Sequence, residues 1–159
     1  MPAVRLLDTA GAGTDPVTAD AFTVLACLPG AIADATAYPA DWAQIPGAAG
    51  CTLEATTYRD LAHEFAALGA HVRLLSTATP RQLSAFAAEL DLAMPLLSDE
   101  ELQLVTALRL PTFHASGRDH LKRLTMIVGP DRVIQAVQFP ISSPADSVRE
   151  TLASLARLG

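Results

Sequence analysis

Short apolar runs alternate with longer amphipathic stretches along the chain, and this alternation predicts an α/β domain. FTVLACL at residues 22–28, which stops at Pro29-Gly30, and HVRLLST at 71–77 have the length and β-branched content of buried strands. Because such runs are separated by helical stretches, the pattern favours a largely parallel sheet.

Four stretches have apolar positions at the three- and four-residue spacing of helices. They span residues 53–68, 79–92, 100–108 and 143–158. Gly69 can end the first of them. Thr79 followed by Pro80 is typical of a helix start, and Ser98 or Asp99 is expected to cap the third helix. Helices therefore account for much of the second half of the chain.

The remaining segments are predicted as a hairpin and two loops. LKRLTMIV at 121–128 and RVIQAVQF at 132–139 flank the turn Gly129-Pro130-Asp131, which predicts an antiparallel hairpin. TFHASGRDH at 112–120 has a weak pattern and is predicted to be a loop. Residues 31–50 contain prolines and glycines without a sustained period, and loops of this length are usually functional or disordered.

Composition excludes several classes of function. The chain has 159 residues, half of them hydrophobic, so we expect a single folded domain over residues 1–159. A net charge of −6 offers no basic surface for nucleic acid. No apolar run approaches the roughly 20 residues that span a bilayer, so no membrane segment is expected. The first residues do not resemble a secretory signal peptide, and we expect a cytoplasmic protein.

The two cysteines differ in their surroundings. Cys51 follows a glycine-rich turn and begins a helical stretch, where unpaired N–H groups and the helix dipole favour a thiolate. Gly50 and Thr52 leave room around its sulfur. Cys27 lies inside the apolar run at 22–28, which favours a role in core packing. The sequence thus predicts that Cys51 is the reactive thiol, although a buried space-filling role and a disulfide with Cys27 remain open.

A cation near the sulfur would stabilise the thiolate, and the sequence offers several candidates: Arg59, Arg81, Arg109 and Arg123. Arg59 is about two turns along the same helix, so it would have to reach back. The four histidines lack the paired spacing of a metal site, and neither a metal nor another cofactor is expected. His114 and His120 are near Arg123 in sequence, so either could tune the site around the thiol.

The segment IPGAAGCTLEATTYRD at 45–60, followed by PLLSD at 95–99 and KRLTMIV at 122–128, resembles a known family. In order and spacing it is similar to the peroxiredoxins of the alkyl hydroperoxide reductase/thiol-specific antioxidant (AhpC/TSA) type. The similarity extends over about residues 20–140 and is strongest to the branch related to bacterioferritin comigratory protein.

The resemblance implies a thioredoxin-like α/β fold with a central mixed sheet flanked by helices. It makes Cys51 the peroxidatic cysteine, which attacks a hydroperoxide and becomes a sulfenic acid. Arg123 matches the family arginine that stabilises the thiolate and the developing alkoxide. Gly50, Thr52 and Glu54 are expected to contact the substrate, although an acid in the first helical turn also complements the helix dipole.

Three positions depart from the family pattern. Ala48 replaces the Thr or Ser whose hydroxyl binds the peroxide. Thr56 stands where the related branch often has a resolving cysteine. Leu28 replaces an aromatic residue, and Tyr38 or Trp42 in the following loop could fill that space.

These features favour a one-cysteine mechanism in which an external thiol reduces the sulfenic acid. The expected partners are a hydroperoxide and a reductant such as thioredoxin, glutaredoxin or a low-molecular-weight thiol, and a homodimer is possible. One alternative is a peroxide-responsive redox sensor or binding module with little turnover, which Ala48 favours. Another is a purely structural thioredoxin-like domain with an inert Cys51.

Overall fold

The computed structural model describes residues 1–159. Its strands are β1 Leu6–Leu7, β2 Gly13–Thr14, β3 Phe22–Cys27, β4 Ala70–Ser76, β5 Leu96–Ser98, β6 Thr112–Ala115, β7 Arg118–Leu121, β8 Leu124–Val128 and β9 Ile134–Gln138. Its α helices are α1 Cys51–Asp60, α2 Ala62–Ala67, α3 Pro80–Glu89, α4 Gln103–Leu108 and α5 Pro144–Leu158. None of these helices combines the length and the apolarity needed to cross a bilayer.

Seven strands form the central sheet, in the order β2-β1-β5-β4-β3-β8-β9. The β3–β4 and β4–β5 pairs are parallel, whereas β8 pairs antiparallel with both β3 and β9, and β1 pairs antiparallel with β2 and β5. The sheet is therefore mixed, as the family resemblance implied. The largely parallel sheet expected from the alternation pattern is wrong, because the hairpin and the N-terminal strands add antiparallel edges on both sides.

Each face of the sheet carries its own core. Side chains alternate between the faces along a strand, so Val24 and Ala26 of β3 enter a first core with side chains of α1, α2, α3 and α5. Leu25 and Cys27 enter a second core, which includes Leu104 of α4. This alternation places the two cysteines in different cores.

The segment 53–68, predicted as one helix, forms two helices, so that prediction is wrong. Helix α1 ends before Leu61, whose φ and ψ of −101° and 6° leave the helical region. The apolar spacing continues across this break into α2, so periodicity alone did not reveal it. Cys51 and Thr52 do lie in the first turn of α1, and Gly69, with φ +71°, follows α2 as expected.

Capping side chains fix the next two helices. Thr79 accepts a hydrogen bond from Gln82 N–H and its own N–H donates to the Gln82 side chain, so the predicted start of α3 is confirmed. Helix α4 starts later than predicted, but the Asp99 carboxylate still accepts hydrogen bonds from the N–H groups of Gln103 and Val105. The short strand β5, just before Asp99, was not predicted.

Residues 112–121 form the hairpin β6–β7 and not the predicted loop. Ser116 and Gly117 both have positive φ, at 50° and 72°, which is the geometry of a two-residue hairpin turn that follows the strand twist. The hairpin packs against the long segment 31–50 at Trp42, whose ring lies 5.6 Å from that of Phe113. Two short 3₁₀ helices, Ala35–Ala37 and Trp42–Gln44, interrupt that segment.

Candidate active site

Cys51 is the first residue of α1 and follows a glycine that the backbone requires. Gly50 has φ +110°, in the left-handed region that favours glycine. A Cβ added there would lie 2.6 Å from Pro144 Cγ, at the start of α5. The close approach of α5 and the turn at Gly50 therefore fix the point at which Cys51 enters its helix.

Two hydrogen-bond donors contact the sulfur of Cys51. The backbone N–H of Gly30, which follows β3, donates across 3.3 Å, and Arg123 Nη2 donates across 3.5 Å. The thiol can donate in turn to the Ala48 carbonyl at 3.9 Å. Cys51 is only 5% exposed, so both donors act on the sulfur in a site of low dielectric, where hydrogen bonds and charges interact more strongly than in water.

Arg123 is held from several directions. It is 3% exposed, and its Nη2 donates to the carbonyls of Ala48 and Ala49 at 3.2 and 3.1 Å, while Nη1 donates to Glu54. Burial disfavours the charge on Arg123, but the Cys51 sulfur and the Glu54 carboxylate outweigh it and raise the pKa of the guanidinium. The arginine is therefore a fixed cation beside the sulfur.

Glu54 lies behind Arg123, one turn along α1 from Cys51. It has no exposed surface, and its Oε1 has no hydrogen-bond partner. Burial raises the pKa of Glu54 to about 7, although the charge of Arg123 opposes this change. Arg123 faces two groups that favour its charge and Glu54 faces only one, so the carboxyl is the member of this pair that titrates.

A cavity of about 400 Å³ lies beside Arg123. Arg123 lines it, and so does Lys122, the residue before it. The remaining wall is largely apolar and comes from the turn before α1 and from the segment between β9 and α5: Pro46, Gly47, Phe139, Pro140, Ile141 and Ser142. The cavity gives a small molecule access to the neighbourhood of the guanidinium.

Comparison with known proteins places this chain in a family. The AhpC/TSA family matches residues 36–137, which cover most of the chain and contain both Cys51 and Arg123. The chain belongs to the AhpC/TSA family. It is a peroxiredoxin, and the thiol peroxidase activity implied by the sequence resemblance is confirmed. Among proteins with curated descriptions, none matches the chain.

Solved structures resemble this peroxiredoxin over nearly its whole length. Peroxidoxin BcpB from Mycobacterium tuberculosis is 27% identical, with a TM-score of 0.78 over 98% of this chain and 92% of its own. The bacterioferritin comigratory protein of Xanthomonas campestris, described for alkyl peroxide reduction, is 20% identical, with a TM-score of 0.73 over 97% and 90%. Peroxiredoxin 6 of Arenicola marina is 18% identical, with a TM-score of 0.74 over 99% and 70%. The thioredoxin-like fold and the branch are therefore as expected.

The structure brings together some of the predicted residues of the peroxiredoxin and separates others. Cys51, Arg123 and Glu54 are in contact through Arg123, and Gly50 shapes the turn before them. Thr52 is exposed at the surface of α1 and is not among the sulfur's partners.

Of the arginines considered for the thiol, only Arg123 reaches it. Arg59 does not reach back to the sulfur, because it binds Asp60 at 3.0 Å and the Leu90 carbonyl at 2.8 Å. Arg81 and Arg109 are exposed and make no contact with the sulfur. The structure therefore reduces the candidates to one cation.

The predicted roles of Cys27 and of the loop aromatics also have clear outcomes. Cys27 is fully buried in the second core, in agreement with the predicted role in core packing. Its burial raises the pKa of its thiol, and the charges of Glu54 and Asp99 raise it further. Both cysteines are free. Tyr38 covers Gly30 so closely that a Cβ there would lie 2.4 Å from its ring, so this loop aromatic does fill space beside the site.

The contact between the Gly30 amide and the Cys51 sulfur was not predicted from the sequence. A backbone N–H has no pattern of its own in a sequence, and Gly30 was interpreted only as the residue that ends a strand. The amide lies just beyond the end of β3, and Tyr38 packs over Gly30. Gly30 is 21 residues before Cys51, so only the fold reveals the contact.

The buried carboxyl of Glu54 makes a pH-dependent contribution to stability that can be measured. Its pKa is near 4.5 when unfolded and about 7 when folded, so between these values the folded protein holds a proton that the unfolded chain has lost. The contribution is fully present below about pH 4.5 and is lost as the pH rises through 7. We expect Glu54→Gln to gain stability relative to wild type across this window, on the order of 3 kcal/mol.

Urea unfolding of both proteins at several pH values measures this difference. Glu89→Gln is the matched control, because Glu89 is an exposed helical acid without an ion pair. The free energy of unfolding of this control should differ from that of wild type by the same amount at every pH. A constant difference for Glu54→Gln would contradict the raised pKa of Glu54.

Proposed function

We propose that residues 1–159 form one peroxiredoxin domain in which Cys51 is the peroxidatic cysteine for hydrogen peroxide or organic hydroperoxides. The observation that carries this proposal is the convergence of the Gly30 N–H and the Arg123 guanidinium on a sulfur at a helix start. The thiolate attacks the terminal oxygen of the hydroperoxide and the O–O bond breaks. The sulfur becomes a sulfenic acid, and the other oxygen leaves as an alkoxide that takes a proton to give an alcohol or water.

Arg123 serves this step by stabilising negative charge. Charge shifts from the sulfur to the leaving oxygen, and a cation already fixed in place needs no reorganisation to stabilise it. Glu54 is buried away from the substrate, so we assign it to holding Arg123 instead of to the substrate contact expected from the resemblance. The cavity beside Arg123 supplies the path for the peroxide, and its apolar wall suits an organic substituent.

Backbone groups replace the hydroxyl that is missing at Ala48. Ala48 is fully buried and presents its carbonyl to Arg123, so its side chain offers nothing to a peroxide. The N–H groups of Gly50, Cys51 and Thr52 precede the first intrahelical donor of α1, which is Glu54 N–H. They are therefore available to donate to the peroxide oxygens.

An external thiol completes the cycle in a one-cysteine mechanism. Cys27 lies in the other core, on the opposite face of the sheet, so it cannot reach Cys51 without unfolding of that region. Two external thiols return the sulfenic acid to a thiol with release of water and formation of their disulfide. Thioredoxin, glutaredoxin or a low-molecular-weight thiol in the cytoplasm can serve as this reductant. Removal of peroxides by this cycle gives the protein an antioxidant role. A homodimer is compatible with this cycle.

A redox sensor is the second candidate, and two observations favour it. Ala48 lacks the hydroxyl of the family pattern, and Cys51 is only 5% exposed. A sensor would form the same sulfenic acid slowly and would not turn over with added thiol. Rate and turnover therefore separate it from a peroxidase.

Rapid mixing with hydrogen peroxide or an alkyl hydroperoxide, followed by mass spectrometry, tests the proposal. We expect fast addition of one oxygen atom at Cys51 and, with thiol present, repeated turnover. Slow oxidation without turnover would favour the sensor. Loss of two hydrogens as an internal disulfide with Cys27 would contradict the one-cysteine mechanism.

A further inference from the structure

One peptide group connects the sulfur of Cys51 to a histidine of the β6–β7 hairpin. This group is the amide between Pro29 and Gly30. Its N–H donates to the Cys51 sulfur across 3.3 Å, and its carbonyl oxygen, on Pro29, lies 3.2 Å from His120 Nδ1. Because a carbonyl oxygen only accepts, a hydrogen bond in this contact requires the proton on His120 Nδ1. No other group donates to the Pro29 carbonyl.

The segment around this peptide is held in an unusual backbone conformation. Ala31 has φ +63°, in the left-handed region that an alanine rarely adopts. The Gly30 carbonyl accepts from the Ser76 hydroxyl at 2.7 Å, and Ile32 N–H donates to the Tyr38 hydroxyl at 3.0 Å. Hydrogen bonds on several sides therefore oppose the relaxation of a strained turn, and the bond from His120 is the one made directly to the amide that faces the sulfur.

His120 is itself fixed by aromatic packing. It is 7% exposed, and its ring stacks on Phe113 with 5.3 Å between centroids. The Trp42 ring packs against it edge to face, with 5.1 Å between centroids. Its Nε2 is 3.2 Å from the Ala115 carbonyl. Both ring nitrogens thus face acceptors. A neutral imidazole donates to one of them at a time, and an imidazolium donates to both.

We propose that His120 is a positioning residue for Cys51, acting through the Pro29–Gly30 peptide. Donation to the Pro29 carbonyl fixes the orientation of the amide and polarises it, which makes the Gly30 N–H a stronger donor to the thiolate. This inference rests on the proposed role of Cys51, and it adds a residue that touches neither the peroxide nor the sulfur. It also explains why the β6–β7 hairpin, which is not part of the central sheet, contributes a buried histidine beside the site.

Three substitutions separate this role from simple packing. His120→Asn places an amide N–H close to the position of Nδ1, facing Pro29. His120→Gln places it close to Nε2, facing Ala115, and His120→Phe keeps an aromatic ring but no donor. Thr77→Val is the control for hairpin integrity, because the Thr77 hydroxyl donates to the Asp119 carbonyl at 2.9 Å without touching His120.

The rate of Cys51 alkylation by iodoacetamide, measured across pH, reports the thiolate without any peroxide. The Cys51→Ser protein supplies the blank. We expect His120→Gln and His120→Phe to alkylate more slowly at neutral pH, roughly three- to ten-fold, the factor for loss of one hydrogen bond, with the profile moved to higher pH. His120→Asn should restore the rate to within about two-fold, and Thr77→Val should lower thermal stability but leave the profile unchanged.

Either of two results would overturn the inference: His120→Asn and His120→Gln behaving alike, or Thr77→Val moving the profile as far as His120→Gln does. The Gly30 amide proton gives a second reading, since its resonance should shift in His120→Gln and not in His120→Asn. If wild type alkylates rapidly but ignores peroxide, the proposed function fails and the role of His120 stands.

Discussion

Cys51→Ser is expected to abolish peroxide reduction, with a loss of more than about three orders of magnitude in the second-order rate constant. A serine hydroxyl is not ionised at neutral pH, so the Gly30 N–H and Arg123 would face a neutral oxygen that cannot attack a peroxide. The fold should persist, because the hydroxyl can still donate to the Ala48 carbonyl. Stopped-flow consumption of hydrogen peroxide measures the rate.

Cys27→Ser is the matched control, since it makes the same atomic change in the other core. Cys27 is fully buried among apolar side chains, so its replacement should cost about 1 to 3 kcal/mol of stability. The rate of peroxide reduction should stay within about two-fold of wild type, because the site on the opposite face is unchanged. Equal loss of activity in the two variants would refute the one-cysteine mechanism, and retained activity in Cys51→Ser would refute the proposed nucleophile.

Arg123→Met is expected to lower the rate constant for peroxide reduction by about two to three orders of magnitude. Methionine fills much of the same volume but removes the cation beside the sulfur. It also strands Glu54, which is buried with no other ionic partner. Loss of the guanidinium raises the pKa of the Glu54 carboxyl further. We therefore expect the variant to lose stability relative to wild type increasingly as the pH rises above 7, and to lose little from this cause at acidic pH, where the carboxyl is protonated in both proteins.

The double variant Arg123→Met/Glu54→Gln separates these two effects. Removing the stranded charge should restore most of the stability that Arg123→Met loses above pH 7, as measured by urea unfolding. It should not restore the rate, since no cation is returned to the sulfur. Recovery of peroxide reduction in the double variant would show that Arg123 acts only on folding, and an undiminished rate in Arg123→Met alone would exclude it from the reaction.

Elements with strong local patterns were predictable from the sequence. The first central strand, the Thr79 cap of α3 and the long helix α5 depend on residues close together in the chain. The break at Leu61 was not predictable, because the apolar spacing continues across it. The hairpin at 112–121 was missed because its strands carry few of the alternating apolar residues that mark a half-buried strand.

The candidate site, like the fold, was only partly predictable from the sequence. The position of Cys51 at a helix start followed from the glycine-rich turn beside it, whereas the choice of Arg123 among four arginines came from the family resemblance. Arg123 is 72 positions after Cys51, and the Gly30 amide 21 before it, so neither contact has a local pattern. Glu54 was placed in the correct helical turn, but its complete burial depends on the packing of the sheet and α5.

Under the proposed one-cysteine mechanism, the placement of the two cysteines on opposite faces of the sheet determines how the enzyme is inactivated by excess peroxide. An oxidised Cys51 has no thiol within the chain to trap it, so its survival depends on how quickly a reductant arrives from solution. When peroxide outpaces that supply, a second peroxide meets the same sulfur and drives it to the sulfinic acid, which ordinary thiols do not reverse. Inactivation during turnover should therefore grow with the ratio of peroxide to reductant.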